Sequence, residues 1–353
     1  MKPKRLTRRG MLAVSGSVLA AAQVPAAHKL IGEPAGRIAP SDELVNAYEF
    51  GETAQRTLSS LVYAEIAPDD RRAMDRITFN PRMMVNTTKL NLSSQLLGAD
   101  LFTPILIGPA SEQKRFHPEG ELAMARGAAQ AQTGMVVSDR SSYPIEKIAA
   151  ETKQPLWYQV FLDPDASAVH ERIDRAVQAG CKVVVITAGV VDGSDSGPAA
   201  APTMVDWSQV ERLRKGISVP VVVKGILTVE HARMAVSSGV AGMVVSNHER
   251  RLVPHPESGI EALPAIAQVV AGKVPILVDG GFCRGSDVLK ALALGAQAVL
   301  ICRAALWALA AYGAQGVHDE LGLIQNELAR DMMMCGLVNL QAIARTAVTI
   351  HRR

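Results

Sequence analysis

Residues 276–303 have the sequence ILVDGGFCRGSDVLKALALGAQAVLICR. A short apolar run, Ile276–Asp279, precedes a glycine-rich loop and a helical stretch over Ser286–Leu294 that ends at Gly295. A second apolar run, Ala298–Cys302, follows. The order strand, loop, helix and strand predicts two parallel strands joined by a crossover helix. The number of such units along the chain decides the fold.

Apolar runs of this kind begin at residue 103. There are eight: Pro104–Gly108, Met135–Ser138, Leu156–Phe161, Lys182–Thr187, Val221–Gly225, Met243–Asn247, Ile276–Asp279 and Ala298–Cys302. Helical stretches lie between them: Glu119–Gln132, Ala166–Ala179, Val229–Ser238, Ile260–Val270 and Ser286–Leu294. Eight consecutive units predict an α/β fold, a (β/α)8 TIM barrel. A doubly wound sheet is the rival, but no GxGxxG follows the first strand.

The N-terminus has the pattern of a targeting segment. Lys and Arg side chains in the first ten residues precede an uncharged stretch rich in Ala, Val and Leu, and small residues follow at Val24–Ala26. We predict a signal peptide over 1–27, cleaved near Ala26 or Ala27, with an uncleaved anchor as the weaker alternative. Thr7–Leu12 contains Arg8-Arg9 and resembles a twin-arginine signal, which predicts export, for example to the periplasm.

The remaining chain divides into two predicted regions. Residues 28–102 form an N-terminal arm and lead-in, with a possible short helix over Ser41–Phe50, and residues 103–353 form the barrel with C-terminal helices. The formal charge is +3, but five basic and no acidic residues lie in 1–26, so it falls to −2 without them. No basic surface for nucleic acid is evident. We expect a homo-oligomer without an integral membrane segment after processing.

The four cysteines, Cys181, Cys283, Cys302 and Cys335, have no CxxC or Cys/His spacing, so no metal site is predicted. Cys283 and Cys302 would lie on adjoining strand ends. They could pair if their Cα atoms approach within about 7 Å. Packed free thiols are the alternative.

Polar residues stand at the predicted C-terminal ends of the strands, where barrel enzymes place catalytic groups. They are Ser138, Gln159, Thr187, Lys224, Asn247-His248, Asp279 and Arg303. Burial would oppose the charge of Lys224 unless an anion lies beside it; the alternatives are a rim position or a carboxylate partner. His248 could equally be a satisfied core histidine.

The segment Asp279–Asp287 predicts a phosphate site. Gly280 and Gly281 let the backbone approach a ligand, a helix N-terminus follows, and Arg303 adds charge from strand eight. The loops after strands seven and eight are the usual phosphate site of this fold. A plain turn with a helix cap is the alternative.

Several ordered motifs resemble the FMN-dependent 2-hydroxy acid oxidases and dehydrogenases, a family that includes glycolate oxidases and lactate dehydrogenases. They are Pro104–Ala110, His117–Glu121, Lys224–Ile226, Ser246–His248, Asp279–Gly281 and Lys290–Ala296. The resemblance implies FMN as cofactor. The implied cofactor contacts are Pro109, Ala110, Ser111, Ser138, Gln159, Thr187, Lys224, Asp279, Gly280, Gly281 and Arg303.

The resemblance also implies catalytic roles for three residues. His248 takes the substrate hydroxyl proton while hydride passes to flavin N5, Asp279 orients the imidazolium, and Lys224 stabilises negative charge on the ring. Arg251 grips the substrate carboxylate. Phe161 stands at the substrate-binding position where the family usually has a Tyr.

The sequence also departs from the family pattern at positions other than Phe161. Glu249-Arg250 replaces Gly-Gly, the loop 188–205 is short and lacks a second carboxylate-binding Arg, and Cys283 and Cys302 replace an Arg and a Gly.

Three functions remain open: oxidation of an (S)-2-hydroxy acid to a 2-oxo acid, a flavin-binding barrel with altered or lost activity, and a phosphate-binding barrel enzyme of another reaction type. Oxygen, a quinone or a cytochrome could accept the electrons.

Overall fold

The computed structural model describes residues 37–162, 165–188, 207–247 and 258–351. The predicted signal peptide over 1–27, and with it the twin-arginine motif, lies outside these ranges. His248, Arg251 and most of the loop 188–205 lie outside them as well. Residues Pro40–Arg353 make up one compact unit.

The segment before the barrel contains three helices and three strands. The helices are α1 (Ala47–Thr57), α2 (Ser60–Glu65) and α3 (Arg72–Asp75), and the strands are β1 (Ile77–Phe79), β2 (Ser94–Leu96) and β3 (Ala99–Leu101). Strands β2 and β3 form an antiparallel hairpin whose turn residues, Leu97 and Gly98, both have positive φ. Two successive positive φ values suit a tight hairpin turn.

Eight parallel strands then close a barrel, as predicted. They are β4 (Ile105–Ile107), β5 (Gly134–Ser138), β6 (Leu156–Phe161), β7 (Val183–Thr187), β8 (Val221–Ile226), β9 (Gly242–Val245), β10 (Ile276–Val278) and β11 (Ala298–Ile301). Neighbours in the chain are neighbours in the barrel, and β11 pairs with β4 to close it. Each strand coincides with one of the eight predicted runs to within two residues at either end.

The apolar runs are continuous because both faces of the sheet are buried. Ile105 and Ile107 pack in the large core cluster with the outer helices, whereas Leu106 packs with alternate residues of the other strands inside the barrel. Trp157 is the largest of these interior side chains and is fully buried. Leu96 and Leu101 of the β2–β3 hairpin join this interior cluster. The hairpin therefore closes the end at which the strands begin and leaves their C-terminal ends for the site.

The outer helices follow the strands. They are α4 (Gly120–Gln130), α5 (Ile145–Ala149), α6 (Ala166–Gln178), α7 (Trp207–Lys215), α8 (Val229–Ser237), α9 (Gly259–Val270) and α10 (Gly285–Ala293). Side chains cap several of them: Asp165 accepts from two amides of α6, and Thr228 accepts from His231. The helix predicted over Glu119–Gln132 extends two residues beyond the observed end of α4 at Gln130. Gln132 has a left-handed φ of 53°, so it cannot continue the helix.

The helix predicted over Ser41–Phe50 was misplaced. Ser41–Glu43 form only a 3₁₀ turn, and α1 begins after Asn46, whose side chain accepts a hydrogen bond from the Tyr48 amide. Helix α1 buries Phe50 and Ala54 and packs against the C-terminal helix α11 (Arg303–Met334). Tertiary contact with α11 therefore extends the helix to Thr57.

Helix α11 and the C-terminus complete the described chain. The φ and ψ values of Tyr312 and Gly313 are not helical, so α11 consists of two helices joined at a kink. After it, β12 (Val348–Ile350) pairs with β1 in an antiparallel ladder in which Ile77 faces Ile350. This pairing ties the last strand to the segment that precedes the barrel.

Candidate active site

A cavity of about 1710 Å³ opens where the barrel strands end. Of the site residues predicted from the sequence, those that line it are Pro109, Ala110, Ser111, Gln159, Phe161, Thr187, Lys224, Asp279, Gly280, Gly281 and Arg303. Ser138 does not line the cavity. It is buried directly behind it, with its Oγ 3.2 Å from the Oγ of Ser111. The predicted residues His248 and Arg251 lie outside the described part of the chain.

Lys224 is the central charged group of the cavity. It is 4% exposed, and its Nζ lies 3.0 Å from Oδ2 of Asp279 and donates to Oγ of Ser246 at 3.0 Å. Of the three possibilities that the sequence left open, the structure therefore shows the carboxylate partner. An ion pair removed from water keeps its charge through such contacts. The pair places a cation and a carboxylate, from the ends of β8 and β10, at the cavity wall.

Neutral polar groups continue from Lys224 around the wall. Gln159 Nε2 donates to Thr187 Oγ1 at 2.8 Å, and the strand registers place Gln159 beside Ser138 and Thr187 beside Lys224. Such a row of fixed donors and acceptors suits the polar edge of a flavin ring, while Pro109 and Ala110 offer an apolar surface. The residues present therefore fit FMN.

The predicted phosphate end has two glycines in conformations that favour glycine. Gly280 and Gly281 have φ values of 96° and 75°, and a Cβ on Gly280 would lie 3.0 Å from the side-chain oxygen of Asn247. Arg303 reaches the same end of the cavity and forms an ion pair with Asp69. A positively charged side chain and a close backbone are therefore both available to a phosphate.

The helix N-terminus predicted to bind that phosphate is already occupied by the chain's own carboxylates. Asp287 Oδ2 accepts from the amides of Cys283 and Arg284 at 3.2 and 3.1 Å, and Glu327 accepts from the amide of Gly285 at 2.8 Å. The amides of Cys283, Arg284 and Gly285 are therefore paired within the chain. Binding of the phosphate at this helix N-terminus, with Gly280, Gly281 and Arg303, stays a prediction.

The two cysteines that line the cavity are free thiols. Burial raises the pKa of Cys283 to about 12 and the pKa of Cys302 to about 12. Both side chains are therefore neutral at physiological pH. Cys302 packs closely against the backbone that follows β4, since a Cβ on Gly108 would clash with its Sγ. The open question of a disulfide is thus answered in favour of packed thiols.

Sequence reasoning missed several residues at this site. Asp69 pairs with Arg303, Ser246 holds Lys224, and Arg140 lies over the ring of Phe161. Asp69 begins the charged run Asp69–Arg72, and Arg140 follows strand-end residue Ser138 by two positions, so both carried a weak local signal.

Two features were not found among the described residues. No group of three or more of their His, Cys, Asp and Glu side chains could hold a metal ion. No helix in the same part of the chain is long and apolar enough to span a membrane.

The sequence matches the family described as FMN-dependent dehydrogenase over residues 64–195 and 194–350. A peroxisomal (S)-2-hydroxyacid oxidase of Arabidopsis thaliana is 34% identical over 87% of this chain and 97% of its own length. A glycolate oxidase of Oryza sativa is 32% identical over 87% of this chain and 96% of its own.

Solved structures give the same result. A mandelate oxidase crystal structure matches with a TM-score of 0.81 and 34% identity, over 88% of this chain and all of that one. Flavocytochrome b2 matches with a TM-score of 0.82 and 27% identity, over 89% of this chain and 88% of its own. The chain therefore belongs to the FMN-dependent dehydrogenase family, and it is an FMN-dependent oxidoreductase.

Proposed function

We propose that this enzyme oxidises an (S)-2-hydroxy acid to the corresponding 2-oxo acid. The observation that carries the proposal is the buried Lys224–Asp279 pair at the strand ends, inside a cavity whose remaining wall suits FMN. Relatives named for (S)-2-hydroxyacid and glycolate oxidation support the same reaction class. Bound FMN would accept the two electrons that the alcohol carbon loses.

The residues of the chain would divide the work. Lys224, held by Asp279 and Ser246, supplies a fixed positive charge that stabilises negative charge developing beside it. His248 would take the hydroxyl proton as general base, and Asp279 would stabilise the imidazolium that results. Arg251 would bind the substrate carboxylate through a bidentate contact. The roles of His248 and Arg251 rest on the sequence resemblance.

A flavin-binding barrel with altered or lost activity is the second candidate. Phe161 favours it, because the ring lines the cavity and has no hydroxyl group to offer a substrate. The two candidates differ in one observable, which is whether any 2-hydroxy acid reduces the bound flavin.

Rapid mixing of the purified holoenzyme with a panel of 2-hydroxy acids tests the proposal through the visible flavin spectrum. We expect His248→Ala to retain FMN but to slow bleaching by about 10²–10⁴-fold, as loss of a general base does. Lys224→Met should weaken both FMN binding and reduction, because it removes the buried cation. Reoxidation by oxygen, a quinone or a cytochrome then identifies the acceptor.

Two results would count against the proposal. If no acid in the panel bleaches the flavin, the second candidate gains support. If His248→Ala bleaches at the wild-type rate, the assignment of the base is wrong.

A further inference from the structure

We propose that Asp69 lowers the affinity of this enzyme for FMN, because its carboxylate competes with the phosphate group of the cofactor for Arg303. The phosphate contacts of Gly281 and Arg303, on which this depends, are predicted from the sequence, and the oxidation reaction plays no part in it. Three observations carry the inference: the ion pair of Asp69, its position beside Gly281 and the anchoring of the segment that contains it.

Asp69 forms an ion pair with Arg303 at the cavity wall. Its Oδ2 contacts Nη1 of the guanidinium, and both residues line the cavity. The side chain of Asp69 is 23% exposed and that of Arg303 is 29% exposed, so the pair is partly shielded from water and its attraction is screened less than that of a surface pair. The carboxylate therefore compensates the positive charge of Arg303 within the chain.

The same carboxylate lies against the backbone of Gly281. A Cβ placed on Gly281 would lie 3.4 Å from the Cβ of Asp69 and 3.7 Å from its Oδ2. Asp69 is therefore next to both groups that are predicted to hold the phosphate, the Gly281 backbone and the Arg303 guanidinium. A carboxylate and a phosphate group are both anions and repel each other at short distance. A phosphate bound here has to displace the carboxylate or remain beside it, and both lower its affinity.

The chain is anchored on both sides of Asp69. Trp307 Nε1 donates to the carbonyl of Ile66 at 2.7 Å, and the Arg71 guanidinium donates to the carbonyl of Gly281 at 2.7 Å. Four residues separate Ile66 from Arg71, so the backbone that carries Asp69 has little length in which to move away. The carboxylate thus stays near the predicted phosphate contacts even when its side chain turns.

The arginines around the loop after β10 have carboxylate partners of their own. Arg71 pairs with Asp287, and Arg284 pairs with Glu327. Of these two and Arg303, Arg303 is the one that lines the cavity. Attraction of a phosphate to this end of the cavity therefore depends on Arg303 more than on the other two, and a carboxylate that shares Arg303 has a correspondingly large effect.

The affinities for FMN and for riboflavin, which lacks the phosphate, measure this effect. FMN is removed from the protein by dialysis, each flavin is titrated back, and binding is followed by the change in flavin fluorescence. Asp69→Asn keeps the shape of the side chain and removes its charge. We expect it to tighten FMN by about 10–100-fold, the size of a hydrogen bond to a charged group, and to leave riboflavin nearly unchanged. Asp69→Ala should also tighten FMN, because it removes the charge without adding a donor.

Asp70→Asn is the matched control. The carboxylate of Asp70 is adjacent in the chain but pairs with Arg72 instead of Arg303. This variant should leave the ratio of FMN to riboflavin affinity as in the wild type. Adding Arg303→Met to Asp69→Asn should remove the gain for FMN, since the cation that the phosphate would use is then lost.

Two results would overturn the proposal. Weaker or unchanged FMN binding in both Asp69 variants would mean that Asp69 orients Arg303 or holds the segment in place. A gain for riboflavin as large as that for FMN would mean that repulsion of the phosphate is not the cause. Neither result depends on reduction of the flavin by a 2-hydroxy acid, so the proposed function stands or falls separately.

Discussion

Glu320 is a carboxyl group that the site does not use, buried within the helix that follows the barrel. Its side chain is fully buried, and neither of its oxygens has a hydrogen-bond partner among the described residues. Burial, with a smaller effect from Glu327, raises the pKa of Glu320 from 4.5 to about 8. The residue is therefore protonated in the folded protein at pH values where the unfolded chain would carry its charge.

The stability of the protein should fall with rising pH because of this one group. Between about pH 4.5 and 8 the folded state holds a proton that the unfolded state has released, so the contribution of Glu320 is fully present below pH 4.5 and is lost by about pH 8. Glu320→Gln removes the ionisation and keeps the shape. We expect it to stabilise the protein by about 3–4 kcal/mol at pH 8.5 relative to its effect at pH 5.

Urea denaturation of the wild type and of Glu320→Gln at the two pH values measures this difference. Glu320→Asp is the matched control, because it keeps an ionisable group in the same place. Parallel pH dependence in the wild type and in Glu320→Gln would show that Glu320 is not the titrating group.

At the scale of elements, helix α1 shows how packing overrides a local pattern. Asn46 caps the helix, and Phe50 and Ala54 are fully buried. A Cβ on Gly51 would lie only 3.2 Å from the Trp307 ring, so α1 and α11 approach closely at a residue without a side chain. The contact between two helices that are distant in sequence explains why the mixed composition of residues 47–57 still forms a helix.

A second prediction at this scale concerns the targeting segment predicted over residues 1–27. We propose that residues 1–27 direct export by the twin-arginine route, because Arg8 and Arg9 precede a weakly apolar run. Replacing both with Lys keeps the charge and should retain the protein in the cytoplasm in an unprocessed form. Cell fractionation and the mass of the N-terminus measure the outcome, and the single Lys4→Arg change serves as control. Unchanged export of the double variant would refute the twin-arginine assignment.

At the scale of the whole molecule, Arg71 links the N-terminal arm to the barrel. Its guanidinium donates to both oxygens of Asp287, at 3.0 and 2.7 Å, and to the carbonyl of Gly281 at 2.7 Å. Asp287 is fully buried and also accepts from the amides of Cys283 and Arg284. One arginine thus connects the arm, the loop after β10 and the start of α10.

Removing this link should destabilise the protein and loosen the phosphate end of the site. Arg71→Met leaves the buried Asp287 carboxylate without its cation, and we expect a loss of about 2–4 kcal/mol in the free energy of unfolding together with weaker FMN binding. The adjacent Arg72 forms an exposed pair with Asp70, so Arg72→Met should change the free energy of unfolding much less than Arg71→Met does. Chemical denaturation and FMN titration of both variants make the comparison. Equal losses in the two would mean that the Arg71 contacts do not join the arm to the barrel.

The fold was predictable because its determinants are local and repeated. Runs such as Val183–Thr187 are apolar throughout because both faces of a parallel barrel strand are buried, and the helices between them begin and end at recognisable residues. Once the strands are in order, a parallel barrel brings their C-terminal ends together. That is why Gln159, Thr187, Lys224 and Asp279 could be assigned to one site from the sequence.

The repeated order of strands and helices thus specifies the barrel, the end at which the site lies and most of the polar residues at that end. The partners of these residues emerge only in the folded chain, where Lys224 pairs with Asp279, Arg303 with Asp69 and Phe161 with Arg140. Folding also brings the carboxylates of Asp287 and Glu327 to the amides of Arg284 and Gly285. The physical reason is that charge pairing and hydrogen bonding depend on distances between residues far apart in the chain, whereas sequence periodicity reports only which side of an element each residue occupies.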